Sequence, residues 1–368
     1  MQMGDFTTFE RGYNRVSSSQ TINMKKSLLF GAFIMLSIMT VSAQTNPSGY
    51  TLLKKTVIGG EGGWDYLSVT PEDRRLYVSH ATQVEVLNVD THEKIGVIPN
   101  TKGVHGICAI PKLGKGYITC GTTKTVMVFD LKTQKMIKEI PAGDKPDAVL
   151  YDAYSDQIFV FNNGSKNTTV IDPKTDNVVK TLDLGGAPEA GVSTGKGLVY
   201  VNLEDTNQIV AIKTKPLIIK KRFSLAPGET PTGLGYDKKK QILFSSCRKT
   251  ATMVIVSAKT GAIIGQVPIG KGVDGVAFDV KSKLAFASNG DGTFTVVKES
   301  PGGKYAVYET IKTGVGARTI AYDPSTHHVF TITAEYGPIP AATTENPRPR
   351  APVLPGTFMV MEFGKKGK

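Results

Sequence analysis

One short motif recurs seven times along the chain, and this recurrence limits the fold more than any other feature. The copies read Trp64-Asp65-Tyr66-Leu67, Val104-His105-Gly106-Ile107, Pro146-Asp147-Ala148-Val149, Pro188-Glu189-Ala190-Gly191, Pro231-Thr232-Gly233-Leu234, Val273-Asp274-Gly275-Val276 and Ala317-Arg318-Thr319-Ile320. Their second members are spaced by 40, 42, 42, 43, 42 and 44 residues. Chance does not space seven matches so evenly. A length prior of roughly 100–200 residues per domain would split the chain into two or three domains. The repeat overrides that prior.

Within a copy the pattern is four short strands. In the third they read Ala148–Tyr151, Gln157–Phe161, Thr169–Ile171 and Val178–Leu182, each rich in β-branched or aromatic residues and bounded by turn formers. No helical periodicity links the strands, which excludes a parallel α/β sheet. Four-stranded units with a period of about 40–45 residues are the signature of a β-propeller, whose blades bury their faces only against one another. The expected fold is therefore all-β, a seven-bladed β-propeller of four-stranded blades.

The last copy is one strand short: after Val329–Thr333 only Phe358–Phe363 follows. Thr51–Ile58, upstream of the first copy, is an unpaired strand of the right character. The last blade is thus expected to be closed by this N-terminal strand, which covers edges that an open ring would expose. The expected domain plan is 1–43 an upstream extension with a signal peptide, 44–364 a single propeller, and 365–368 a basic tail.

Strand pairs such as Arg75-Leu76-Tyr77-Val78-Ser79 and Leu198-Val199-Tyr200-Val201-Asn202, with the turn Val170-Ile171-Asp172-Pro173-Lys174-Thr175, resemble the YVTN repeat. From about Tyr50 to Gly364 the chain is similar to exported, YncE-like seven-bladed propellers. The resemblance speaks to fold; propellers serve as enzymes, scaffolds and binding platforms alike.

Export is also read from the N-terminus. Lys25 and Lys26 precede an uncharged apolar stretch from Leu28 to Val41, ending in Val41-Ser42-Ala43. That is a secretory signal, too short for a comfortable membrane span of ~20 residues. Translation is expected to begin at Met24, since the preceding residues match no targeting element. The expected location is periplasmic or secreted, with no membrane span after signal removal. Three Cys exclude a disulfide scaffold. Cys108, Cys120 and Cys247 sit in apolar strands and are expected to be inert, buried thiols.

In a propeller the turn entering each innermost strand shares a face with the end of the second strand. The seven aligned residues should ring the mouth of the central channel: Asp65, His105, Asp147, Glu189, Thr232, Asp274 and Arg318. The second-strand ends would add His80, Asn162, Asn202 with Glu204, Cys247 with Arg248, Asn289 with Asp291, and Glu335. The expected ligand-binding set is Asp65, His80, His105, Asp147, Asn162, Glu189, Asn202, Arg248, Asp274, Asn289, Arg318 and Glu335. Converging carboxylates raise one another's pKa unless something positive stands among them. Arg318 with Arg248 could do so, or a divalent cation held by Asp65, His105, Asp147, Glu189 and Asp274. Oxygen ligands suit calcium or magnesium, and a histidine brings in zinc or manganese.

The first expectation is a non-catalytic protein binding a small ligand, ion or envelope protein partner at this mouth. The alternative is a lactonase-like hydrolase or isomerase, possible because some propeller lactonases and cycloisomerases use a central His, Glu and Arg group. His105 would be the general base, Arg318 or Arg248 would stabilise an oxyanion, and Glu189 would complete the set. A metal-activated water is a further form of the same reading. No nucleophile elbow is present.

Net charge is +12, spread over clusters such as Lys220-Lys221-Arg222 and Lys238-Lys239-Lys240. No aromatic stripe accompanies it, which argues against nucleic-acid binding. Finally, the connection Ala334–Gly356 breaks the repeat with six prolines plus Arg348 and Arg350. Such loops are often lids, and this one is expected over the mouth as a lid or docking strap.

Overall fold

The computed structural model describes residues 47–366, apart from 348. The expected signal peptide and the end of the basic tail lie outside the described residues. Seven four-stranded antiparallel sheets account for the fold, with a single 3-10 turn, Pro111–Leu113, outside them. In the third blade the strands are Pro146–Asp152, Gln157–Asn162, Asn167–Asp172 and Asn177–Asp183, each slightly longer than expected. We number the blades I to VII in chain order. No helix among the described residues is long and apolar enough to cross a membrane.

The innermost strands are Leu67–Thr70, Val104–Ile110, Pro146–Asp152, Pro188–Ser193, Pro231–Asp237, Val273–Asp279 and Ala321–Asp323. Each contacts the next, and Ala321–Asp323 returns to Leu67–Thr70, so the ring is closed. Packing there is tight: a Cβ added at Gly233 would come within 2.6 Å of the Gly275 backbone. Six sheets run in chain order from axis to rim. In blade VII, Ala321–Asp323, His328–Thr333 and Met359–Lys365 are followed by Tyr50–Val57, which pairs antiparallel with Met359–Lys365.

The core lies between blades, as a sheet with two apolar faces demands. Tyr77 and Val84 of blade I interleave with Ile118, Met127 and Phe129 of blade II. Phe286 and Phe294 of blade VI meet Met361 and Phe363 of blade VII. Each such side chain contributes about 1.5–3 kcal/mol by leaving water. Every outermost pairing contains a bulge, for example between Val128 and Phe129 or between Leu52 and Lys54. A bulged rim discourages edge-to-edge pairing.

The seam of blade VII is reinforced by polar groups. Glu362 lies 2.6 Å from His328 Nδ1 and 3.2 Å from Nε2 of His92, a residue of blade I. His92 in turn meets the Thr56 hydroxyl of the N-terminal strand at 2.9 Å. Burial opposes ionisation of Glu362, but the two histidines outweigh it and hold its pKa down at about 2.

Candidate functional site

The motif positions coincide with a local irregularity. Register shifts fall between Val104 and Ile107, Pro146 and Val149, Pro188 and Gly191, Pro231 and Leu234, and Val273 and Gly275. These bulges contain His105, Asp147, Glu189, Thr232 and Asp274. A bulge leaves one residue out of the pleat and re-aims its side chain. In blades I and VII the innermost strands begin only at Leu67 and Ala321, so Asp65 and Arg318 sit on the turns that precede them.

The side chains join into a string of alternating charge. His105 Nδ1 lies 2.6 Å from Asp65 and 3.7 Å from Asp147. Arg318 lies 3.6 Å from Asp65 and donates through Nε to Asp274 at 2.9 Å. Its Nη2 also donates to the Trp64 carbonyl at 2.8 Å. Asp274 is paired again with Arg248, whose Nε donates to the Val273 carbonyl at 3.0 Å. In order the string is Asp147, His105, Asp65, Arg318, Asp274 and Arg248, one residue from each of blades III, II, I, VII, VI and V.

Blade IV breaks the alternation. Its Glu189, 7% exposed, is held by neutral donors. The Tyr66 hydroxyl donates to Oε1 at 3.2 Å, and Asn163 Nδ2 lies 3.4 Å from Oε2. The same amide donates to Glu204 at 3.1 Å. Blade IV lies as far from blade I as a seven-membered ring permits, so the Tyr66–Glu189 hydrogen bond crosses the channel. Asp147, Glu189 and Glu204 thus form an acidic step with no arginine or lysine of the string between them. Asp147 Oδ1 is buried without a hydrogen-bond partner among the described residues.

The electrostatics follow. Burial, then the neighbouring Asp65 charge, pushes Asp147 up to about 8, with His105 opposing. Burial and the Asp147 and Asp274 charges drive Glu189 well above the carboxylate range. Asp274 is raised by burial even though Arg248 and Arg318 pull it down. For His105 burial disfavours the charged ring, yet the Asp65 hydrogen bond and the Asp147 charge outweigh it and raise its pKa. Raised carboxylate pKa values of this kind favour the protonated form of the acidic groups.

Among the expected metal ligands, donor atoms of Asp65, His105 and Asp147 all lie within 4.8 Å of one another. Glu189 and Asp274 are not part of that group. One nitrogen and two carboxylates suit zinc or manganese better than calcium, which takes about 6–8 oxygens.

The second-strand ends behave differently, and here the structure departs from the expected set. His80 is 2% exposed, hydrogen-bonded to Glu85 at 3.1 Å and stacked on Phe358 at 4.1 Å. Asn162 donates to Asn167 and Thr169, and Asn289 to Thr293 and Thr295, all within their own blades. Asn202 donates to the Thr232 and Gly233 carbonyls and accepts from Ser245. Thr232 is fully buried and donates to the Val273 carbonyl. Glu335 is exposed in a separate groove with Lys55, Tyr336 and Met359. Asp291 accepts the Lys271 amide. None of the seven makes a contact to the string, although His80 Nε2, Asn162 Oδ1 and Asn289 Oδ1 are buried without a hydrogen-bond partner among the described residues; of the second-strand ends, Arg248 joins the string and Glu204 the acidic step. The cysteines are free, and burial raises the thiols of Cys108, Cys120 and Cys247 to about 12, 11 and 12.

Two partners were not anticipated. Tyr66 could have been found: the third motif member is Gly, Ala or Thr in the other six copies, so a tyrosine there is an outlier. Asn163 sits on a hairpin tip, where nothing in the sequence marks its reach into the next blade.

The loop Ala334–Gly356 is pinched at its base. Tyr336 bridges to Val353, and the Gly337 amide donates to the Pro352 carbonyl at 2.8 Å. It walls one side of a cavity shared with Trp64 and Arg318, so it borders the charged string. A scan against protein-family models found no match, and a search of curated proteins found none either.

Proposed function

We propose that this chain is an exported, non-catalytic binding protein whose channel mouth takes a small ligand presenting a positive group, either an amine or a divalent cation. The acidic step of Asp147, Glu189 and Glu204 supports this reading most. Burial and the Asp65 charge push Asp147 up to about 8, which favours a proton there at neutral pH. A ligand cation would replace that proton, so binding and proton release are coupled. A manganese or zinc ion would use Asp65, His105 and Asp147; an amine would sit nearer Glu189. The chain's export rests on the signal-like N-terminus.

Calorimetry with zinc, manganese, calcium and putrescine in buffers of different ionisation enthalpy tests the proposal. Binding with release of protons near pH ~7, lost in Asp147→Asn/Glu189→Gln, is expected. No binding by any of the four would overturn it.

The His105–Asp65 contact also favours a second reading, because an imidazole oriented by a carboxylate is an acid–base device. Its raised pKa favours the protonated ring, the form that serves as a general acid. A lactone and ester screen would show turnover lost in His105→Ala and in Arg318→Ala if this reading holds. An empty screen removes it.

A further inference from the structure

Where the innermost strands of blades VII and I start late, the rim opens into a cavity of about 500 Å³, within the range of small-molecule sites, roughly 300–1,000 Å³. Its walls are Trp64, Tyr336, Val315 and Val353, and its polar lining includes Arg318 and Arg350. No acidic side chain among the described residues lines it. This inverts the acidic step of blades III and IV.

From these observations we propose a second, separate subsite that binds an aromatic carboxylate. Arg350 is exposed and makes no hydrogen bond or ion pair among the described residues. Arg318 already shares its charge with Asp274, so the cavity offers little more than one full positive charge, suited to a monoanion. The Tyr336 hydroxyl likewise has no hydrogen-bond partner among the described residues. It lies against Gly316, whose φ of +82° and missing side chain make room for it. A carboxylate can therefore accept from a guanidinium and a phenol while its ring meets the indole and phenol faces. Trp64 and Tyr336 pack against each other, with centroids 6.3 Å apart and planes tilted at 58°, and line the same cavity. The pinched loop supplies Tyr336, Arg350 and Val353 together, which gives the proline-rich insertion a role as one wall of the site.

Trp64 is the chain's single tryptophan, so its fluorescence reports on this cavity alone. Titration with hydrocinnamate should give a saturable change, and hydrocinnamide should give none. Arg350→Ala, on an exposed loop position, should weaken binding about tenfold, the equivalent of one charge-assisted hydrogen bond. Tyr336→Phe should weaken it about threefold. The proposal is overturned by no saturable response, by equal binding of the amide, or by tighter binding of phenyl phosphate. Unchanged affinity in Arg350→Ala would overturn it equally.

Discussion

The seam of blade VII and the mouth of the channel are built from the same chemistry, carboxylates beside histidine, with opposite outcomes. At the seam two histidines face one carboxylate, and Glu362 is held at about 2. At the mouth one histidine faces several carboxylates, and Asp147 is pushed up to about 8. Asp147 is the more deeply buried of the two, and burial is the largest cause of its rise. The ratio of donors to acceptors adds to that difference. A satisfied cluster holds the fold together; an unsatisfied one stores charge that a ligand can relieve.

The contrast is most easily broken at the seam. Glu362→Ala leaves His92 and His328 without their shared acceptor and should cost ~3 kcal/mol or more, read by denaturant unfolding near neutral pH. A loss under about 0.5 kcal/mol, typical of a surface pair, would mean the seam is not held this way. At the mouth the sign reverses. Asp147→Asn removes a carboxylate that the fold disfavours, so it should stabilise by ~1–3 kcal/mol above pH 8. Destabilisation there would show that the Asp147 charge is satisfied after all.

The pH dependence sharpens the same comparison. Glu362 is depressed, so its stabilisation is complete above its unfolded value of 4.5 and is lost as pH falls through about 2. Asp147 is raised, so its cost is absent below 3.8 and grows until pH passes about 8. Melting curves of the parent and the two variants should diverge at opposite ends of the pH range. Asp147→Asn should match the parent near pH ~4. The smallest effect is expected of Tyr66→Phe, which removes one hydrogen bond across the channel for ~1 kcal/mol. It should also raise the Glu189 pKa further, visible by carboxyl NMR.

Much of this was legible in the sequence because a repeat converts distance along the chain into position around an axis. Asp65, His105, Asp147, Glu189, Asp274 and Arg318 were marked by alignment alone, and bulges turn five of the seven aligned positions. His80, Asn162, Asn202 and Asn289 turn to partners within or between blades for a physical reason. A strand end can turn its side chain toward the channel or back into the blade, and the neighbouring Glu85, Thr169, Ser245 and Thr295 decide which. The seam was half visible: the missing strand was inferred, but His92 and Glu362 belong to opposite ends of the chain and share no motif. Tyr336 and Arg350 lie in a segment outside the repeat, where alignment has nothing to say.

The pairing of Tyr50–Val57 with Met359–Lys365 has a consequence for biogenesis. Tyr50–Val57 precedes every other strand of the ring and has no partner until Met359–Lys365 is made, so the latch can shut only once the seventh blade is present. Nascent chains and products clipped at either terminus are left with an open sheet edge, the feature that invites aggregation and proteolysis. The toroid therefore inspects its own completeness, and a chain cut short announces itself as damaged.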